Sequence, residues 1–152
     1  MATKIGLGVP IPKLAPATAF WAAPFTIFYL VLQNRIVYHR LNTKTYLGDN
    51  SQSKSGFSSD PLYLASRCQA NFAENVPLAL TIALLAEVNG GNRNIINYGL
   101  GTLFAVRIGH ALGLGAPGAM GIGRIVGYYG TQVVMTFFTG YLGYLVKDYW
   151  QI

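Results

Sequence analysis

The chain is written in long apolar runs broken by short polar interruptions. Residues 14–34, between Lys13 and Arg35, carry no charge, and neither do residues 125–146, between Arg124 and Lys147. An α-helix needs about 20 apolar residues to cross the hydrocarbon core of a bilayer, so each run predicts a transmembrane helix. The uncharged runs in the middle, 75–86 and 94–106, are too short to span alone. Extended through their charges to 61–88 and 94–114, they reach spanning length but carry ionised side chains inside the helix. The competing reading is two short re-entrant segments. The pattern thus predicts an all-α membrane protein, a bundle of four transmembrane helices at about 14–38, 61–88, 94–114 and 123–147 in a single domain covering 1–152.

Punctuation residues predict the connections. Residues 41–60 (LNTKTYLGDNSQSKSGFSSD) form a Ser- and Gly-rich polar loop. It ends in Asp60-Pro61, an N-cap followed by proline at the first helical position. Residues 89–92 (NGGN) predict a tight turn, and 115–123 (GAPGAMGIG) a Gly/Pro loop that closes the third helix. The start, with Pro10, Pro12 and Pro16, reads as an extended tail before a signal-anchor helix, not as a cleaved signal peptide. Pro24, within the first span, predicts a kink.

Composition agrees with the pattern. Only 11% of the 152 residues are charged and 52% are hydrophobic, whereas a soluble domain carries roughly 25% charge. Disorder is excluded by the aromatic and apolar content, and a disulfide-stapled module by the lone cysteine, Cys68. The net charge of +6 contains no three adjacent basic residues, which argues against nucleic acid and for an anionic small molecule. Two histidines and one cysteine give no metal-ligand spacing.

The few charges inside the spans carry the chemistry. In four antiparallel helices, Arg35 at the end of the first, Arg67, Asn71 and Glu74 early in the second, Arg107 and His110 late in the third, and Arg124 and Tyr128 opening the fourth all fall on one side of the membrane. Arg67, Asn71 and Glu74 repeat at i, i+4, i+7 and so share one helix face within about 60°. Arg124, Tyr128 and Thr131 repeat the same stripe. Such stripes face inward or toward a neighbouring subunit, because a lipid-facing charge has nothing to offset its cost. Four arginines against one carboxylate leave a surplus built for an anion, since guanidinium forks match carboxylates. Glu74 and Asn71 would suit an ammonium or amide on the same ligand. The alternative is that these polar residues only fix helix register or a subunit interface. Cys68 lies one step off the polar face and reads as a packing residue. Gly109-x-x-x-Gly113 and Gly123-x-x-x-Gly127 have the spacing that lets helices approach closely in lipid.

At these residues the chain resembles a known superfamily. The segment 67–77 (RCQANFAENVP), with Arg107-Ile-Gly-His110 (RIGH) and Arg124-Ile-Val-Gly-Tyr128 (RIVGY), resembles the second-, third- and fourth-helix motifs of the MAPEG superfamily, membrane-associated proteins in eicosanoid and glutathione metabolism. The likeness runs from about Gly48 to Tyr128. GDN at 48–50 and EVNGG at 87–91 resemble its small, poorly characterised branch. The resemblance implies a homotrimer of four-helix protomers in the endoplasmic reticulum or another intracellular membrane. It implies glutathione as cosubstrate between subunits near the cytosolic face, and a lipophilic small molecule as the second substrate. Arg67, Asn71, Glu74, Arg107, His110 and Tyr128, with Arg35, would bind glutathione. Arg124 would be catalytic, stabilising the thiolate of a glutathione transferase or glutathione-dependent lipid peroxidase.

Some positions depart from the family pattern. Leu114 stands where several members have tyrosine, Ile125 where the prostaglandin-forming type has a hydroxyl, and Ala70 where that type has arginine. These departures leave general conjugation or peroxidase chemistry rather than specialised eicosanoid synthesis. They also motivate the rival reading of a catalytically degenerate membrane subunit or scaffold in a larger assembly. A channel is disfavoured, because the polar cluster occupies only one half of the membrane. Cationic residues lean weakly toward that half being cytosolic.

Overall fold

A computed structural model of the protein describes residues 13–48, 60–115 and 121–150. The proline-rich start, most of the Ser/Gly loop and the centre of the Gly/Pro stretch lie outside the described residues. Four helices follow in order: α1 (Pro16–Thr43), α2 (Pro61–Val88), α3 (Arg93–Leu114) and α4 (Ile122–Leu145), then a 3-10 turn over Lys147–Trp150. No strand occurs among the described residues.

The helix ends follow local chemistry. Asp60 accepts the Leu62 N–H at 3.1 Å, with Pro61 at the first helical position, and so starts α2 as the Asp-Pro pair predicts. Asn92 starts α3 by accepting the Asn94 N–H at 2.9 Å. The turn before it places Gly90 at φ 88, a left-handed conformation that glycine adopts without a Cβ clash. α1 runs beyond its expected end near residue 38, because no breaking residue intervenes before Lys44 at φ 53. There the Lys44 N–H returns to the Arg40 carbonyl, and Arg40 Nη1 donates to the Tyr46 carbonyl at 2.6 Å. α1 and α2 continue through Pro24 and Pro77 respectively.

Among the described residues, α1 and α2 are long and apolar enough to cross a membrane, each with a mean hydropathy of 1.2. The uncharged run expected to be a clean fourth span is helical in α4, but α4 is not among the helices that meet that criterion. α2 meets it although Arg67 and Glu74 lie within its first half.

The helices alternate in direction, as their cross-contacts show. Early α1 meets the end of α2 through Thr18 and Glu87. Early α2 meets late α3 through Cys68 and the Ala111 carbonyl. Late α3 meets early α4 through His110 and the Arg124 carbonyl. Ala79, Ala83 and Ala86 on one face of α2 are fully buried, together with Ile96, Leu100, Leu103 and Phe138. Small residues on that face let the neighbouring helices come close. An aromatic cluster fills the α1–α3 contact, with the Phe25 and Phe104 rings edge to face at 5.2 Å between centroids. Outside, Phe20, Ile27, Val31, Leu78, Leu112 and Val133 are exposed. Apolar side chains thus form both the core and the outer surface of the protomer.

Glu87 ties the end of α2 to the start of α1. α1 has no side-chain cap of its own, so its first N–H groups would be orphaned. The Glu87 carboxylate accepts the Ala17 N–H at 2.9 Å, and the Thr18 N–H and hydroxyl at 2.8 Å each. An anion is also favoured at the positive end of the helix dipole. Replacing Glu87 by Ala strips charge-assisted partners from buried donors, at a cost of about 1.5–3 kcal/mol. We expect Glu87→Ala to lower the thermal midpoint in detergent by several degrees and Glu87→Asp to recover part of it. Equal midpoints for Glu87→Ala and wild type would show that the cap carries no stability.

Candidate ligand-binding site

The polar residues of the four helices gather at the end of the bundle where α1 and α3 finish and α2 and α4 begin. Close packing of α3 on α4 creates this layer. A Cβ on Gly127 would overlap the His110 Cβ and lie 2.6 Å from the Val106 carbonyl oxygen. A Cβ on Gly123 would overlap the Gly109 carbonyl, and one on Gly113 the backbone of Gly123 and Arg124. Of the four glycines with interhelical spacing, Gly109 itself has open space where its Cβ would be and contributes its carbonyl to the contact.

That approach brings Thr131 to Arg107. Arg107 is only 2% exposed. Its Nη1 donates to Thr131 Oγ1 at 3.2 Å, and its Nη2 makes a short hydrogen bond to Asn71 Oδ1. The Thr131 hydroxyl donates to the Gly127 carbonyl at 2.7 Å. One guanidinium therefore joins α2, α3 and α4. Its charge meets neutral oxygens and no carboxylate, and its Nε is buried without a partner among the described residues.

His110, one turn on, is equally enclosed. Its Nδ1 lies 3.0 Å from the Arg124 carbonyl. A carbonyl only accepts, so Nδ1 carries a proton and donates it there. Nε2 is buried and has no partner among the described residues. Cys68 is buried nearby, its thiol 3.7 Å from the Ala111 carbonyl, in keeping with a packing role.

The remaining residues of the expected cluster turn outward. Arg67, Glu74, Arg124 and Tyr128 are exposed on the protomer, whereas Arg35 and Asn71 are half-buried. Arg67 and Glu74 make no hydrogen bond or ion pair among the described residues. Arg35 reaches the end of α3: its Nη2 would be 3.6 Å from a Cβ on Gly115. A cation there is favoured by the negative end of the helix dipole. The structure thus joins Asn71, Arg107 and His110 in an inner layer and leaves Arg67, Glu74, Arg124 and Tyr128 as an outer one.

Beside Asn71, α1 and α2 form a groove of about 280 Å³ whose lining includes Phe25, Thr26, Tyr29, Phe72, Val76 and Pro77. It is mostly apolar, and its lining on α2 starts at Phe72, the residue after Asn71. Tyr29 is held there by Gln69, whose Nε2 donates to the Tyr29 hydroxyl at 3.0 Å.

Thr131 belongs to the inner layer but was not among the residues expected at the site. Its place in the 124–128–131 stripe was the available signal. Threonine within a helix more commonly bonds only to its own backbone, which hides such a role.

Close α3–α4 packing can be tested at Gly127. We expect Gly127→Ala to push α4 off α3 and lower stability by about 1–3 kcal/mol, the usual cost of overpacking. Gly140→Ala, where a Cβ meets nothing within 4 Å, should leave the thermal midpoint unchanged. Equal effects at the two positions would refute the packing.

The sequence model described as MAPEG family matches residues 18–144. No curated protein and no solved structure matches the chain.

Proposed function

Because the chain belongs to the MAPEG family, and is by family and by its apolar helices a membrane protein, we propose that it binds glutathione and uses it as cosubstrate. The reading is of a glutathione transferase or glutathione-dependent peroxidase acting on lipophilic electrophiles. Arg124 is the catalytic residue and Arg67, Asn71, Glu74 and Tyr128 are ligand contacts. Arg35, Arg107 and His110 support the pocket from within. The single observation that carries the reading is the composition of the outer layer: two exposed arginines, Arg67 and Arg124, with one exposed carboxylate, Glu74. Glutathione offers two carboxylates and one ammonium, the complement of that set.

The chemistry asks little more of the protein. A free thiol has a pKa near 8.5 and is only a few per cent ionised at neutral pH; a nearby cation raises the thiolate fraction. The thiolate then attacks an electrophilic carbon, displacing its leaving group, or a peroxide oxygen, breaking the O–O bond. Lipophilic substrates reach such a site from the bilayer, and the apolar groove beside Asn71 supports that route. Ligand contacts that face outward on the protomer suit a site completed by a neighbouring copy in a homotrimer. By family habit the site faces the cytosol from an intracellular membrane, such as the endoplasmic reticulum.

The decisive experiment is turnover of a chlorinated aromatic electrophile and of a lipid hydroperoxide by purified protein with glutathione. Arg124→Ala should lower kcat by about 10²-fold, the usual loss on removing one stabiliser of developing negative charge, with a smaller change in KM. Absence of turnover with both substrates would contradict the enzymatic reading and favour a non-catalytic subunit. Unchanged kcat in Arg124→Ala would remove Arg124 from the chemistry.

A further inference from the structure

The contacts around Arg107 determine which atom of Asn71 a ligand meets. A guanidinium carries N–H donors and no acceptor. Whichever amide atom of Asn71 faces Arg107 must therefore be its oxygen, and Oδ1 indeed accepts from Arg107 Nη2. The amide is planar, so Nδ2 points away from Arg107. Asn71 is half-buried, and its Nδ2 has no partner among the described residues.

Thr131 holds Arg107 in place for this contact. Its hydroxyl proton is committed to the Gly127 carbonyl at 2.7 Å, which leaves its lone pairs to accept Arg107 Nη1 at 3.2 Å. Asn71 is steadied from its own helix as well, because Asn75 Nδ2 donates to the Asn71 carbonyl at 2.7 Å. Arg107 itself is 2% exposed within the protomer, so assembly with further copies cannot bring it out to a ligand.

We propose that Arg107, held by Thr131, is a positioning residue that locks the Asn71 amide as a hydrogen-bond donor, so that Asn71 selects an oxygen acceptor, a carboxylate or peptide carbonyl, on the ligand. This differs from the direct contact with glutathione that family resemblance implies for Arg107. It also narrows the sequence-based expectation that Glu74 and Asn71 would suit an ammonium or an amide: Asn71 meets an oxygen acceptor, and the ammonium falls to Glu74. The identity of the ligand rests on the glutathione reading above, whereas the direction of the amide does not.

The sign of one substitution tests it. Asn71→Asp keeps the shape and pairs a carboxylate with the Arg107 guanidinium, but it turns an oxygen toward the ligand. Equilibrium binding of glutathione to the detergent-solubilised protein should weaken by at least about tenfold, the loss of one charge-assisted hydrogen bond, while the thermal midpoint is kept or raised. If Asn71→Asp binds as tightly as wild type or more tightly, the amide oxygen faces the ligand and the proposal is overturned. Thr131→Val should raise Kd several-fold and Thr131→Ser should restore it. Equal Kd values for these two variants would overturn the part given to Thr131. Failure of the wild type to bind glutathione would remove the ligand assignment, and unfolding would still decide the lock. An Asn71→Asp midpoint above that of Asn71→Leu upholds the Arg107 contact; equal midpoints overturn it.

Discussion

A guanidinium enclosed in a membrane bundle constrains everything packed around it. An ionised side chain at the bilayer centre costs at least about 2.5–3.5 kcal/mol, and a buried charge is tolerated only when hydrogen bonds replace its water. Arg107 finds those bonds on two other helices, at Asn71 in α2 and Thr131 in α4. Thr131 is within reach only because α4 lies almost against α3, and that closeness is what Gly113, Gly123 and Gly127 permit. The glycine seam and the polar layer are therefore one device. The seam sets the distance, and the arginine turns that distance into a specific register.

The opposite end of the bundle uses the same logic with the opposite charge. Glu87 neutralises the orphan donors at the start of α1 and fixes where α1 meets α2. Between these ends the interior is aromatic and aliphatic and can supply packing but little orientation. Specificity thus sits at the two polar ends. The Arg107 end also carries the outward layer of Arg67, Glu74 and Arg124. In our reading the inner layer gives that outer layer its geometry, and the outer layer meets glutathione.

Much of this was legible in the sequence because short-range chemistry governs it. Asp60-Pro61 and the Asn-rich turn before Arg93 mark helix starts through contacts two residues away. The stripes through Arg67 and Arg124 follow from helical periodicity alone. Contacts between distant parts of the chain were not legible. Nothing near Glu87 indicates that its carboxylate serves Ala17 and Thr18, about seventy residues earlier. Spacing could not separate Gly109, which needs no missing side chain, from Gly127, which does. Nor could it tell which of four arginines would be sealed inside. Arg107 and Arg124 look alike in sequence, and only the packing of α4 on α3 distinguishes the positioning group from the exposed one.

The central claim is that surplus positive charge at one end of this bundle binds glutathione and favours its thiolate. Ultraviolet difference absorbance of the thiolate reads both parts at once, as glutathione is titrated into the purified protein at neutral pH. The account predicts a saturable rise in thiolate absorbance that disappears when a glutathione analogue lacking the thiol is titrated instead. A flat response, with no saturable binding of glutathione by equilibrium dialysis, would contradict it.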